Sequence, residues 1–141
     1  MELKDLHHSI GATTVLAPVL IDSDTTTAGA VIDTQGFGSV EFVFSAGVLT
    51  DGVFTGALAE SNTINGGGAL TSENVVAAAD RLGSLPVLQN DDGDDSGSTK
   101  RVGYIGLKRY VRFDVVSTNT TDGGFVSVVA IQGDARNNPV E

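Results

Sequence analysis

The feature that most limits what this chain can fold into is a recurring run of alternating apolar and polar residues, each closed by a Gly/Asp turn. Ser39 to Ala46 is the clearest case. Val40, Phe42, Phe44 and Ala46 fall on one face, with Ser39, Glu41 and Ser45 on the other. Period two is the signature of a half-buried strand. Burying the two Phe side chains contributes roughly 1.5–3 kcal/mol each. Thr50-Asp51-Gly52 follows as a turn, with Asp51-Gly52 the usual hairpin dipeptide. Val53 to Ala59 reads as the partner strand, with Phe54 and Leu58 on one face and Gly56 marking a bulge or a close backbone approach.

The same punctuation extends along the chain. Residues 1–12 read as a polar arm. Val15 to Ile21 contains Pro18, which cannot donate to a ladder, so the run is an edge strand or an extended segment. Ala28 to Asp33 is a short strand, and Thr34 to Gly38 is its turn. Residues 60–70 and 89–99 read as loops. Thr71 to Leu82 is the one candidate helix, with Ser72 as cap, Glu73 in the first turn and Gly83 at the end. Lys100 to Val116 gives strand, turn at Gly106-Leu107-Lys108, and strand. In its second half Val111, Phe113 and Val115 oppose Tyr110, Arg112 and Asp114. Phe125 to Ile131 is apolar on both faces, which predicts a central strand covered on both sides. The expected fold is all-β: a single-domain antiparallel β-sandwich, jelly-roll-like, with seven to eight strands, long loops and at most one short helix. The domain is expected over 13–134, with a C-terminal tail at 135–141.

A chain of 141 residues buries roughly 68–70% of its unfolded surface, so its core needs no staple. There is no cysteine, hence no disulfide and no thiolate metal site. Net charge is −10. That argues against general nucleic-acid binding and against docking on an anionic membrane, and it favours solubility, or a partner with a basic patch. The N-terminus has no apolar stretch of signal-peptide type, and no run approaches 18 apolar residues. The expectation is therefore no nucleic acid, no membrane and no leader.

Catalytic and metal constellations are weak. Asn90 to Ser96 holds four aspartates, enough for Ca²⁺, but its Gly stands fourth and no Glu closes the loop in the EF-hand manner. A solvated loop tip is the plainer reading. His7 and His8 are adjacent and on a strand would point to opposite sides. No third metal ligand lies nearby in sequence. No nucleophile elbow or phosphate loop is present. No cofactor, metal or catalytic residue is assigned, and an enzyme is not expected. Asn119-Thr120-Thr121 matches the glycosylation pattern, which counts for little without a secretory signal.

The basic residues are more informative. Lys100, Arg101, Lys108, Arg109 and Arg112 are five of the eight in the chain. Either they pair with the acidic loop just upstream, in contacts worth about 0–1 kcal/mol each, or Arg109 and Arg112 form a contact patch beside Tyr104 and Tyr110. Tyr and Arg concentrate binding energy at interfaces. The candidate interface residues are Tyr104, Lys108, Arg109, Tyr110 and Arg112, and of these Tyr104, Arg109, Tyr110 and Arg112 are either contact residues or supports of the core.

Several segments occur in a telling order. They are Ile32 to Phe37, the Phe42 strand, Leu82 to Leu85, Tyr104-Ile105-Gly106-Leu107-Lys108-Arg109-Tyr110-Val111-Arg112, and Val126 to Gly133. Together they resemble a family of small structural proteins of tailed bacteriophages and prophages, most like a head decoration, or cement, protein. The likeness spans about residues 15–140, and the Tyr104–Arg112 string is its most specific part. The resemblance implies a β-sandwich subunit, trimeric, on the outer surface of the virion capsid, bound to the major capsid protein and bridging capsomers. It implies no catalytic residues. The N-terminal arm and Asn137-Asn138-Pro139 are candidates for reaching a neighbour. The alternative is a receptor- or carbohydrate-binding domain on a tail or fibre. Aromatics at 6% and the absence of Trp speak against a sugar platform.

Overall fold

The structure, a computed structural model, describes residues 4–136. The strands in chain order are β1 (Gly11–Ile21), β2 (Thr26–Asp33), β3 (Phe37–Leu49), β4 (Val53–Ser61), β5 (Thr63–Ile64), β6 (Leu70–Thr71), β7 (Asn74–Val75), β8 (Arg81–Leu82), β9 (Val87–Gln89), β10 (Thr99–Tyr104), β11 (Tyr110–Thr118) and β12 (Gly124–Ala135). Eight of these build the frame. One antiparallel sheet runs β1-β12-β3-β10 and is extended by β8. The other runs β2-β11-β4, with β9 paired to one end of β4 and β7 to the other. Two four-stranded sheets in this order make a jelly roll. The sandwich read from the sequence is present, and the extra strands are short ladders of two residues.

The pairing differs from the hairpins expected locally. β3 and β4 lie in opposite sheets although only Thr50 to Gly52 separates them. β10 and β11 likewise part company, so Lys100–Val116 is a crossover between sheets and not a hairpin. Alternation tells which side of a strand is buried. It does not tell which strand lies beside it, and both arrangements bury the same residues.

The predicted faces hold. Val40, Phe42, Phe44 and Ala46 are buried, as are Val111, Phe113 and Val115. The Phe113 ring from β11 packs on Phe42 and Phe44 of β3, with centroids 5.7 and 5.5 Å away. Such tilted pairs add to simple area burial. Gly56 is the close approach anticipated, since a Cβ there would meet the Phe113 ring. Of the two readings of the Pro18 run, the structure shows the edge strand: β1 lies at the edge of its sheet, with a register break between Leu16 and Val19.

Two further expectations fail. Residues 71–82 form no α-helix but β7, a single 3₁₀ turn at Ala78–Asp80, and β8. Ser72 has φ 51°, outside the conformation of an N-cap. A segment this short is marginal as a helix, and pairing with β4 and β10 satisfies its main chain instead. β12 is central, between β1 and β3, but only its inner face is buried. Phe125, on the outer face, remains 50% exposed.

Four turns gather at one end of the sandwich. The Asp51 carboxylate accepts from the N–H groups of Thr121, Asp122 and Gly123 at 3.0, 3.0 and 2.8 Å. Asp24 accepts from the Thr120 N–H and hydroxyl at 2.8 and 2.6 Å. Asp91 accepts from Gly52 N–H and Asn119 Nδ2. The aspartates of the expected turns thus bind neighbouring turns together. The opposite end carries the β10–β11 crossover.

Candidate protein interface

The crossover is built on Tyr104. Its alternation in β10 sends the ring into the sandwich, where it is 4% exposed. The hydroxyl donates to Glu60 Oε2 at 2.6 Å and accepts from Lys108 N–H at 3.1 Å. Glu60 stands on β4 in the other sheet and is itself buried. One phenol therefore joins the sheets and anchors the loop. Burial first, and the Glu60 bond second, push the Tyr104 phenol well above the usual range, so it stays a donor. Gly106 folds back over the ring, where a Cβ would collide with it. Of the two roles open to Tyr104, the structure places it as a support of the core.

Arg109 leaves the loop on the surface. It makes a two-pronged pair with Asp33, Nε–Oδ1 3.0 Å and Nη2–Oδ2 2.9 Å, and its guanidinium lies 4.9 Å from the Tyr110 ring centroid. The Arg109 bond, and then the Gln35 N–H, hold the Asp33 carboxyl below its usual range. The carbonyl of Arg109 accepts from both Thr34 N–H and Thr34 Oγ1 at 2.8 and 2.7 Å. The β2–β3 turn and the crossover are thereby locked together.

Arg112 parts from this group. One strand turn onward, it lies on the outer face of the second sheet, paired with Asp114 (Nε–Oδ1 2.7 Å, Nη2–Oδ2 2.9 Å) and with Glu73 at 2.9 Å. Asp114 is buried there and also accepts from Gly29 N–H at the β2–β11 bulge. Only Lys100 pairs toward the acidic loop, with Asp95 at 3.8 Å, and Arg101 reaches Glu41 at 3.3 Å. Intramolecular pairing is therefore the state of four of the five clustered cations, though mostly with partners distant in sequence. Lys108 makes no ion pair with a described residue.

The sequence pattern passed over the loop's own apolar tip. Leu107 is 99% exposed and Ile105 is half exposed. They flank Gly106 on a loop held from both ends, beside small clefts lined by Phe37, Gly38 and Val40. A lone apolar residue within a Gly/Lys turn has no periodic signal to reveal it.

The other candidate sites resolve into structure. Asp95 accepts from Gln89 N–H, Asp94 from Ser96 N–H, and Asp91 from Gly52, so the loop carboxylates face different ways. His7 and His8 sit in a turn, not a strand, with rings edge to face at 5.0 Å and His8 Nδ1 on Asp5 at 2.7 Å. Asn137 to Pro139 lie outside the described residues.

No protein-family model and no curated protein matches the chain. Among solved structures, it is similar to a chain in the structure of the infectious bursal disease virus Gx strain, with a TM-score of 0.46 and 12% identity. The overlap covers 92% of this chain and 33% of that one, so this chain spans a third of its length.

Proposed function

We propose that this chain is a structural virion protein, a decoration protein that binds the outside of a tailed-phage head and bridges capsomers as a trimer. Its role is mechanical and not catalytic. The family resemblance carried by Tyr104 to Arg112 supplies the identity of the particle. The geometry favours this reading through one observation: Leu107 stands fully exposed on a loop pinned at Tyr104 and Arg109. A rigid apolar tip suits protein contact, because little order is lost when it docks. Many such modest contacts, repeated over a shell, add up through multivalency.

The test is to mix the protein with DNA-free heads of the phage whose genome carries the gene, and to image the particles. The reading expects density over the whole shell and its loss with Leu107→Asp, a surface change that leaves the fold within about 0.5 kcal/mol. Density at the tail alone would replace it with the attachment reading. Light scattering tests the trimer, and a monomer at every concentration would remove that part.

A further inference from the structure

β10 is an open edge for four of its six residues. Its ladder with β8 covers Gly103↔Leu82 and Tyr104↔Arg81 and then stops. Parity identifies the groups left over. Ser98 C=O accepts from Ala46 N–H on the β3 side, and Ile105 N–H donates to Asp80 C=O on the β8 side, both at 2.9 Å. Main-chain groups alternate sides along an antiparallel strand. Even-numbered residues of β10 therefore bond to β3, and odd-numbered ones face away. Thr99 and Arg101 turn their N–H and C=O outward beyond the end of β8, with no main-chain partner on that side among the described residues.

Arg101 borders a groove of about 710 Å³ whose lining also includes Glu41, Leu82, Leu85, Pro86 and Lys100, and Thr99 lies next to it along the strand. Its far wall is fixed: Gly56 N–H donates to Pro86 C=O at 2.8 Å, and Lys100 Nζ to Val87 C=O at 2.7 Å. Leu82 is 58% exposed on the near wall. The Arg101 side chain is 76% exposed and touches Glu41 through one nitrogen, so most of its donors are open. Lys100 is held by the Val87 carbonyl and by Asp95, so it is Arg101 that offers open cationic donors to the groove, on a chain of net charge −10.

We propose that this groove takes an extended segment of a partner protein as an added strand of the first sheet, with a carboxylate opposite Arg101 and an apolar residue against Leu82 and Leu85. Main-chain bonds to Thr99 and Arg101 supply affinity, and the alternate side chains supply specificity. A second copy fits less well. Pairing β10 with β10 sets Lys100 and Arg101 against their own kind, and like charges directly opposite are unfavourable. β1 carries Pro18 and two register breaks, which spoil a straight ladder. That the partner is the shell protein rests on the function proposed above, whereas the strand addition does not.

The experiment is amide hydrogen exchange on the whole chain, with the blocked pentapeptide Val-Asp-Val-Asp-Val as probe and its lysine counterpart as control. The expected result is exchange at Thr99 and Arg101 slowed at least about tenfold by saturating acidic probe, with no effect of the basic one. Thr99→Pro removes an outward N–H at the first residue of a strand, where no bond to β3 is lost, and abolishes the effect. Arg101→Glu reverses the preference between probes, and it reads independently should Thr99→Pro fail to fold. Unchanged exchange with both probes would overturn the proposal and leave the two cations as guards of an edge strand. Protection that grows with protein concentration in the absence of probe would also overturn it, in favour of a second copy. Neither probe contains shell protein, so failure here is separable from failure to bind heads.

Discussion

The Tyr104 hydroxyl of β10 donates to the Glu60 carboxylate of β4 at 2.6 Å, across the interior of the sandwich. Tyr104→Phe leaves a buried carboxylate without this donor and costs about 1–3 kcal/mol. It also frees the Lys108 N–H, so amide exchange over 105–109 rises while the core is unchanged. Glu60→Gln keeps an acceptor for the phenol and costs less. Urea unfolding of the three proteins, with exchange on the Phe variant, checks the order.

Phe113 fills the space that Gly56 leaves open. Phe113→Ala costs about 3–5 kcal/mol through lost burial and the cavity left. Gly56→Ala drives a methyl into the ring and costs about 1–3 kcal/mol. Combining Gly56→Ala with Phe113→Leu is less damaging than the sum of the two singles, because the shorter side chain vacates the contested volume. Denaturant midpoints of the four-protein cycle read the coupling directly.

The turn aspartates set the acid limit. Asp51 is held below the usual carboxylate range by the N–H groups of Asp122, Thr121 and Gly123, and Asp24 by the hydroxyl and N–H of Thr120. A carboxyl depressed in the folded state stabilises above its unfolded pKa of about 3.9, and that contribution is lost as pH falls through the folded value. Thermal midpoints should be flat from neutrality to about pH 5 and fall below about pH 4. Asp51→Asn lowers the midpoint at pH 7 and flattens the acid decline. An equal decline in the variant would assign acid sensitivity elsewhere.

Two arginines with similar forks should behave differently. Arg112→Ala strands Asp114, which is buried, and costs about 1–2 kcal/mol after allowance for the part of the pair that reaches water. Arg109→Ala unpairs Asp33 in the open and disturbs stability less. Salt separates them further: 0.5 M NaCl, where the screening length is about 4 Å, removes the Arg109 effect and leaves most of that of Arg112. Melting curves at two ionic strengths test both statements.

Leu107 shows why the surface of this loop is not legible in the sequence. Tyr and Arg types drew attention to Tyr104, Arg109 and Arg112, yet Tyr104 is buried and both arginines are paired. The most exposed apolar side chain of that loop, one residue from Lys108, carried no pattern. Exposure of one turn residue depends on how its neighbours are held, and the clamps on this loop come from Glu60 in β4, Asn62 just past β4 and Thr34 just past β2.

By itself the sequence determined which side chains face inward and where the chain turns. Phe42, Phe44, Phe113 and Val115 are buried as their alternation demands, because a pleated strand sends successive side chains to opposite faces. Tertiary structure alone decided which strands are neighbours. β3 leaves β4, and β10 leaves β11, for opposite sheets. Residues 71–82 became edge ladders instead of a helix. The hydrophobic pattern acts on faces and is indifferent to edges. Partner choice is fixed by hydrogen bonds between residues far apart in sequence, and these exist only once the whole sandwich has closed.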